Sequence, residues 1–222
     1  MTTVNKRIKV LKNGPYRIIG GIPLNHLRYV PNEKGASVEY EEIEKYSPEG
    51  NCFLCRCGKS LRTPFCDGRH FDSFDGTETA SHETYEEMAT FITGKQMDIM
   101  DAEELCAYAR FCTSESDTWT LVAESDDDPA AKATIIHQCN YCPAGRLTAV
   151  TKEGVRIEPD LPQEISILED PAKGCIGPIW VKGGIEIEDE NGQVYPVRNR
   201  VTLCRCGGSK NKPFCDGAHL PD

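Results

Sequence analysis

Apolar positions in this chain come in short runs broken by glycine, proline and charge, which is the pattern of short strands and turns rather than of long amphipathic helices. Gly14 to Leu24 reads GPYRIIGGIPL, an apolar stretch, a Gly-Gly break and a second apolar stretch. Gly177 to Ile187, GPIWVKGGIEI, repeats that order with five of 11 positions identical. Each stretch leads on to a cysteine-rich segment, so each copy reads as strand, glycine turn, strand, return strand and cysteine loop. A unit this short needs its sister to bury its apolar faces, so the copies are expected to pack together about a pseudo-twofold axis. Between them, a helical pattern runs from His82 to Ile92, and a second helix is expected from Asp101, with Glu104 completing a capping box. Ile135 and Ile136 lead into His137-Gln-Cys-Asn-Tyr-Cys-Pro. Arg146 to Val150 and Val155 to Glu158 flank Lys152-Glu153-Gly154 as a hairpin, and Ser125 to Pro129 is an acidic, solvated loop. The expected fold class is α+β and β-rich, with a first unit at 1–77, an insert at 78–170 and a second unit at 171–222.

The 222 residues, 39% hydrophobic and 27% charged, describe a folded chain. A formal charge of −10 argues against nucleic acid as a partner. No run approaches the roughly 18 apolar residues of a membrane span, and MTTVNKRIKVLKNGPY has no apolar core of a secretory signal, so a cytoplasmic protein is expected. In that compartment the 12 cysteines are metal ligands rather than disulfides. No catalytic triad, phosphate loop or acid/base carboxylate pair stands out, so no enzyme is expected.

Six of the cysteines lie in a second, sharper repeat. Leu54 to His70 reads LCRCGKSLRTPFCDGRH and Leu203 to His219 reads LCRCGGSKNKPFCDGAH, with 12 of 17 positions identical and no gap. Cys55 and Cys57, two apart, would point the same way from a strand. Cys66 and His70, four apart, would share one face of a helix, with Asp67 capping its start. Cys204, Cys206, Cys215 and His219 repeat the arrangement. Three cysteines and a histidine suit either zinc or an iron–sulfur cluster; one pair of ligands per metal atom fits a two-iron cluster.

C-R-C-G-x-S-x-x-x-P-F-C-D-G-x-H resembles the CDGSH iron–sulfur domain, the family of mitoNEET. The resemblance covers both cysteine segments and, more weakly, the Gly-Gly units before them. It implies a [2Fe–2S] cluster on Cys55, Cys57, Cys66 and His70 and another on Cys204, Cys206, Cys215 and His219. Arg69 departs from the small residue usual before the histidine. With two motifs in one chain and no anchor, the resemblance implies a fused pseudo-dimer, expected as a monomer, as in prokaryotic tandem members. Imidazole in place of thiolate raises the reduction potential, and its protonation competes with metal. The Cys-His pairs are expected on the more exposed iron. His26, His82 and His137 lack a cysteine frame and are expected not to be ligands.

The insert carries Cys106, Cys112, Cys139 and Cys142. Cys142-Pro143 matches the C-P that closes bacterial ferredoxin ligand runs, and the segment resembles the divergent single-cluster ferredoxin-like domain fused to CDGSH motifs. A third cluster on these four cysteines, a structural zinc, and buried free thiols all remain open at this point. Cys52 and Cys175 read as single thiols, Cys52 near the first cluster. The expected function is electron transfer or redox sensing with a redox partner; the alternatives are cluster transfer to an apo-acceptor protein or iron storage, and a metal-stapled structural module. Replacing His70 or His219 by Cys should lower the potential and slow loss of cluster in acid. Variants that bleach at acidic pH as fast as the native protein would overturn this account of the histidines.

Overall fold

The structure, a computed structural model, describes residues 5–48 and 50–221. Residues 1–4, at the start of the segment read for a signal, and the ends of the two outer units at 1 and 222 therefore lie outside it. The first unit contributes β1 (Arg7–Val10), β2 (Tyr16–Ile19), β3 (Leu24–Pro31), β4 (Ser37–Tyr46) and β5 (Cys52–Leu54). The insert contributes α1 (Tyr85–Met88), β6 (Thr90–Ile92), β7 (Asp98–Asp101), α2 (Thr118–Glu124), α3 (Pro129–Tyr141), β8 (Leu147–Val150) and β9 (Arg156–Ile157). Then come β10 (Glu164–Asp170), β11 (Cys175–Lys182), β12 (Glu186–Glu188) and β13 (Arg200–Leu203). This is a β-rich α+β chain.

The strands form sheets of order β12-β1-β2-β5, β13-β11-β10-β3-β4 and β6-β7-β8-β9. The first two are related by the internal repeat. β1 pairs antiparallel with β2 and β10 with β11; β2 then pairs with β5 and β11 with β13. In each copy the strand after the Gly-Gly turn leaves its own sheet. β3 pairs in parallel with β10, and β12 pairs in parallel with β1. The two halves thus exchange a strand, so neither sheet is complete without the other copy. One core spans both, with Ile8, Val10, Tyr16, Ile18 and Leu54 packed against Ile165, Ile167, Ile179, Val181, Val201 and Leu203. Each such aliphatic side chain contributes about 1.5–3 kcal/mol on burial.

This pairing moves one expected boundary. β10 falls within the stretch 78–170 assigned to the insert, yet it is the counterpart of β1 and belongs to the sheet of the second unit. The insert's own sheet ends at β9. The insert packs α2 and α3 on that sheet around Met97, Ile99, Val122, Ile135, Leu147 and Ala149.

Its helices differ from the expected ones. The pattern from His82 gives a single turn, α1, whose capping box joins Thr84 and Glu87, and then strand β6. Asp101 caps no helix: it ends β7, and its carboxylate is taken by Arg146 at 2.6 and 2.9 Å and by Trp119 at 3.0 Å. A short 3-10 turn, Glu103–Leu105, follows. The long helix α3 starts instead inside the acidic loop, where Asp128 accepts the Ala130 N–H at 2.9 Å and Pro129 takes the first position. The hairpin β8–β9 forms as expected.

The two cysteine loops meet at the pseudo-twofold axis. Gly58 (φ 73°) lies so near the other copy that an added Cβ would sit 2.5 Å from the Cys206 carbonyl oxygen. Gly207 (φ 84°) returns the contact, 2.8 Å from the Cys57 carbonyl. Gly58→Ala should therefore cost more than Gly35→Ala, whose φ is 79° but whose Cβ would meet nothing. Gly35→Ala should cost about 1–2 kcal/mol for the left-handed backbone, and Gly58→Ala a further ~1–3 kcal/mol for overpacking. Urea midpoints of the two variants check this; equal losses would mean the contact is not structural.

Candidate metal centres

Each cysteine loop is closed by its own polar side chains in the same way. Cys55 N–H donates to the Pro64 carbonyl at 2.8 Å and Cys66 N–H to the Phe53 carbonyl at 2.9 Å. Cys204 and Cys215 do the same to Pro213 (2.8 Å) and Thr202 (2.9 Å). Ser60 donates to the Phe65 carbonyl at 2.6 Å and accepts from Arg62 N–H at 3.0 Å. Ser209 matches it on Phe214 (2.7 Å) and Asn211 (3.0 Å). Asp67 accepts the Leu61 N–H at 2.9 Å and the Arg69 N–H at 3.3 Å; Asp216 accepts from Lys210 at 2.7 Å and Ala218 at 3.1 Å. The aspartate thus ties the loop to the turn that carries the histidine.

The expected donors are brought together in pairs, on different backbone from that expected. Cys55 and Cys57 lie just past the end of β5, in the loop. Cys66 and His70 are not on an α-helix. Gly68 turns the chain at φ 90°, and a 3-10 turn over Arg69–Asp72 brings the imidazole back towards the thiol. A two-residue peptide span and a left-handed glycine do the work assigned to a strand and a helix.

Distances within the pairs are those of metal ligands. Cys55 Sγ is 3.7 Å from Cys57 Sγ, and Cys204 Sγ 3.8 Å from Cys206 Sγ. Cys66 Sγ is 3.4 Å from His70 Nδ1, and Cys215 Sγ 3.4 Å from His219 Nδ1. A tetrahedral metal with bonds of ~2.3 Å to sulfur and ~2.0 Å to nitrogen sets two sulfurs ~3.7 Å apart and a sulfur and nitrogen ~3.5 Å apart. Backbone N–H groups already face the sulfurs: Gly68 and Gly217 donate to Cys66 and Cys215 at 3.5 Å, and Gly208 to Cys206 at 3.4 Å. Burial raises the Cys57, Cys66 and Cys215 thiols, so their thiolates need a cation beside them. A side-chain hydrogen bond with Cys204 holds Cys206 down, to about 7. Burial lowers His219, favouring the neutral imidazole that binds metal.

The sites are not equivalent. In the first, Cys55 and Cys57 are buried and the Cys66–His70 side faces outward, as expected. His70 lies beside Phe71, 85% exposed, on an open cavity of about 500 Å³ shared with Lys12, Asn13 and Phe74. In the second, Cys204 and Cys215 are both buried, and Cys206 and His219 are partly exposed. The insert causes this: Cys215 packs on Ala107, Ala144 and Cys142, and Tyr108 lies so close over Gly217 that a Cβ there would be 2.3 Å from its ring.

Sequence reasoning passed over the arginine between each cysteine pair. Arg205 is buried and donates to the Gly177 carbonyl at 2.9 Å. Burial pulls its pKa down, against the attraction of Cys55 in the other copy. Arg56, 1% exposed, donates to the Gly76 carbonyl and lies over Tyr16 and Phe74. Both stand at a position identical in the two 17-residue segments, as do Ser60 and Ser209, and that shared identity was the available signal.

The four insert cysteines are not one group. Cys106, Cys112 and Cys142 line a cavity of about 270 Å³ with Tyr108, Ala109, Phe111, Trp119, Pro143 and Arg146. Cys139 does not line it: on α3 its side chain is turned into the apolar core of the insert and is fully buried. Burial, then Cys142 and Cys106, pushes Cys112 up to about 12. The other histidines have other partners. His26 stands 3.5 Å from Glu169, His82 stacks on Tyr195 at 4.2 Å, and His137 stacks on Tyr141 at 4.0 Å. Cys52 packs against the main core and Cys175 starts β11. Among the described residues no helix is long and apolar enough to cross a membrane.

The family described as iron-binding zinc finger, CDGSH type, matches residues 13–71 and 176–220. A second, described as divergent 4Fe-4S mono-cluster, matches 92–152. No curated protein and no solved structure matches the chain. The duplicated ligand loops and these matches make the chain a tandem CDGSH-type iron–sulfur protein, with a divergent mono-cluster segment between its two copies.

Proposed function

We propose that each CDGSH-type loop holds one [2Fe–2S] cluster, through Cys55, Cys57, Cys66 and His70 in the first and Cys204, Cys206, Cys215 and His219 in the second, and that the protein is an electron carrier. The observation that carries this reading is the pairing of donors at the edge lengths of two separate tetrahedra, 3.7 and 3.4 Å in the first loop and 3.8 and 3.4 Å in the second. A single zinc would draw all four donors to one point. Among the described residues no three His, Cys, Asp or Glu side chains converge in that way. When bound, such a cluster supplies reversible one-electron chemistry.

The chain's own part is to tune and connect. N–H groups of Gly68, Gly208 and Gly217 on ligand sulfurs withdraw charge and favour the reduced state. A three-thiolate cluster is a net anion, and buried Arg205, near Cys55 and Cys206, offsets it. The backbone contacts Gly58–Cys206 and Gly207–Cys57 link the two ligand loops directly, which favours exchange of electrons between them. No catalysis is proposed. A formal charge of −10 suits a basic redox partner rather than nucleic acid or a membrane, and the internal pseudo-twofold supplies the contacts of a homodimer within a monomer.

A second reading, cluster donation to an apo-acceptor, is favoured by one feature, the outward-facing Cys66–His70 side of the first site. Cys66→Ser and Cys215→Ser should each remove about two irons per chain and part of the visible absorption. Variants that keep all their iron would overturn the ligand assignment. Chelator should strip the native protein in two phases, the faster absent from Cys66→Ser and retained in Cys215→Ser; the opposite assignment would overturn the asymmetry. With apo-ferredoxin present, reversible reduction without handover is expected of a carrier, and rapid handover from the first site would establish the donor reading.

A further inference from the structure

The insert's ligand loop lacks one donor. The bacterial four-iron run is C-x2-C-x2-C, completed by a cysteine that precedes proline. Here Cys106 and Cys112 keep the outer spacing and Cys142-Pro143 the closing pair, but Ala109 stands at the middle position. Cys106, Cys112, Cys142 and Ala109 line the same cavity. Tyr108 (φ 55°) and Arg110 (φ 64°) hold left-handed backbone on either side of Ala109. That conformation is fixed by the Arg110 guanidinium on Asp170, at 2.6 and 2.8 Å, and on the Gly35 carbonyl at 3.1 Å. The loop is therefore built around Ala109 and not collapsed by it.

Nothing else supplies the fourth donor. Cys139, the remaining thiol, adjoins Cys112 and Cys142 but sits in the core with Met97, Ile99, Val122 and Ile135 and does not line the cavity. Ala109 is buried among Leu27, Tyr29, Phe111, Leu168 and Trp180, none of which bears a thiol, imidazole or carboxylate. The nearby carboxylate of Asp170 is occupied by Arg110. On the cluster side Arg110, paired with Asp170, and Arg146 line the cavity with the thiols. Arg146 is clamped by Asp101, lies 5.1 Å over the Trp119 ring and lines the cavity with Cys106. Three thiolates and a half-buried guanidinium suit an anionic cluster.

We propose that the insert holds a three-iron, four-sulfide cluster on Cys106, Cys112 and Cys142, with the corner opposite Ala109 left without iron, in place of the four-iron cluster its family description names. Cys215 packs on Ala107, Ala144 and Cys142, so this cluster adjoins the second CDGSH site and not the first. The proposal shares with the previous section only the premise that the chain binds iron–sulfur clusters.

The test is EPR and iron analysis of the full chain reconstituted anaerobically with iron and sulfide. An oxidised three-iron cluster has an odd electron count and gives a signal with no reductant; oxidised two-iron and four-iron clusters are silent. The native protein should show that signal and about seven irons per chain. Ala109→Cys should abolish it in the oxidised state and raise iron to about eight. Cys139→Ser should keep it, and Cys142→Ala should lose it while retaining about four irons. A silent oxidised spectrum in the native protein overturns the proposal, as does loss of the signal in Cys139→Ser. Failure of the [2Fe–2S] reading would appear separately, as absence of the two-iron signal on reduction while the oxidised signal persists.

Discussion

The structure depends on a single reciprocal contact, the approach of each cysteine loop to the carbonyl of its sister's second cysteine across the pseudo-twofold axis. Gly58 meets Cys206 and Gly207 meets Cys57, and neither position has room for a side chain. That approach fixes the distance between the ligand sets. It is possible only because β3 and β12 leave their own units and complete each other's sheets. The strand exchange turns two repeats, each too small for a core, into one body with a shared interior. The metal loops then stand on a rigid frame rather than on the surface of a loop-rich module.

The second theme is the handling of buried charge. Thiolates in an apolar interior are costly unless compensated, and cations are delivered to them from elsewhere in the chain. Arg205 reaches toward Cys55 of the other copy. Arg146, held by Asp101, lines one cavity with Cys106, Cys112 and Cys142. Arg200, fully buried, donates to Glu158 at 3.0 and 2.6 Å and to the carbonyls of Cys139 and Cys142. It thus clamps β13, which leads into the second site, to the loop that carries Cys142. The insert is in this way part of the surroundings of the second cysteine loop, and with β4, which only the first copy has, it makes the two copies unequal.

Much of this was legible in the residues. Two gapless segments announced paired sets of three cysteines and a histidine, because residue type and spacing are local properties that survive any packing. The Gly-Gly turns marked where strands β2 and β11 end and the chain crosses to the other sheet, because left-handed backbone is cheap only for glycine. The hairpin of the insert was readable for the same reason. Asp101 misled, since its side chain answers to Arg146 and Trp119, 45 and 18 residues away, and not to the local helix signal. Asp128-Pro129 carried the true helix start, but it lay in a charge run that reads equally well as a solvated loop.

What the chain determined by itself was its chemistry: which side chains bear donors, how many per loop, and that Ala109 bears none. Tertiary structure decided which of them meet. The exchange of β3 and β12, the extension of the second unit back to β10, the burial of Cys215 against Ala107 and Ala144 and the placing of Cys139 in the core of the insert all rest on contacts between residues distant in sequence. Spacing constrains neighbours along the backbone. Which faces are buried together is settled by the apolar area that the whole molecule can remove from water.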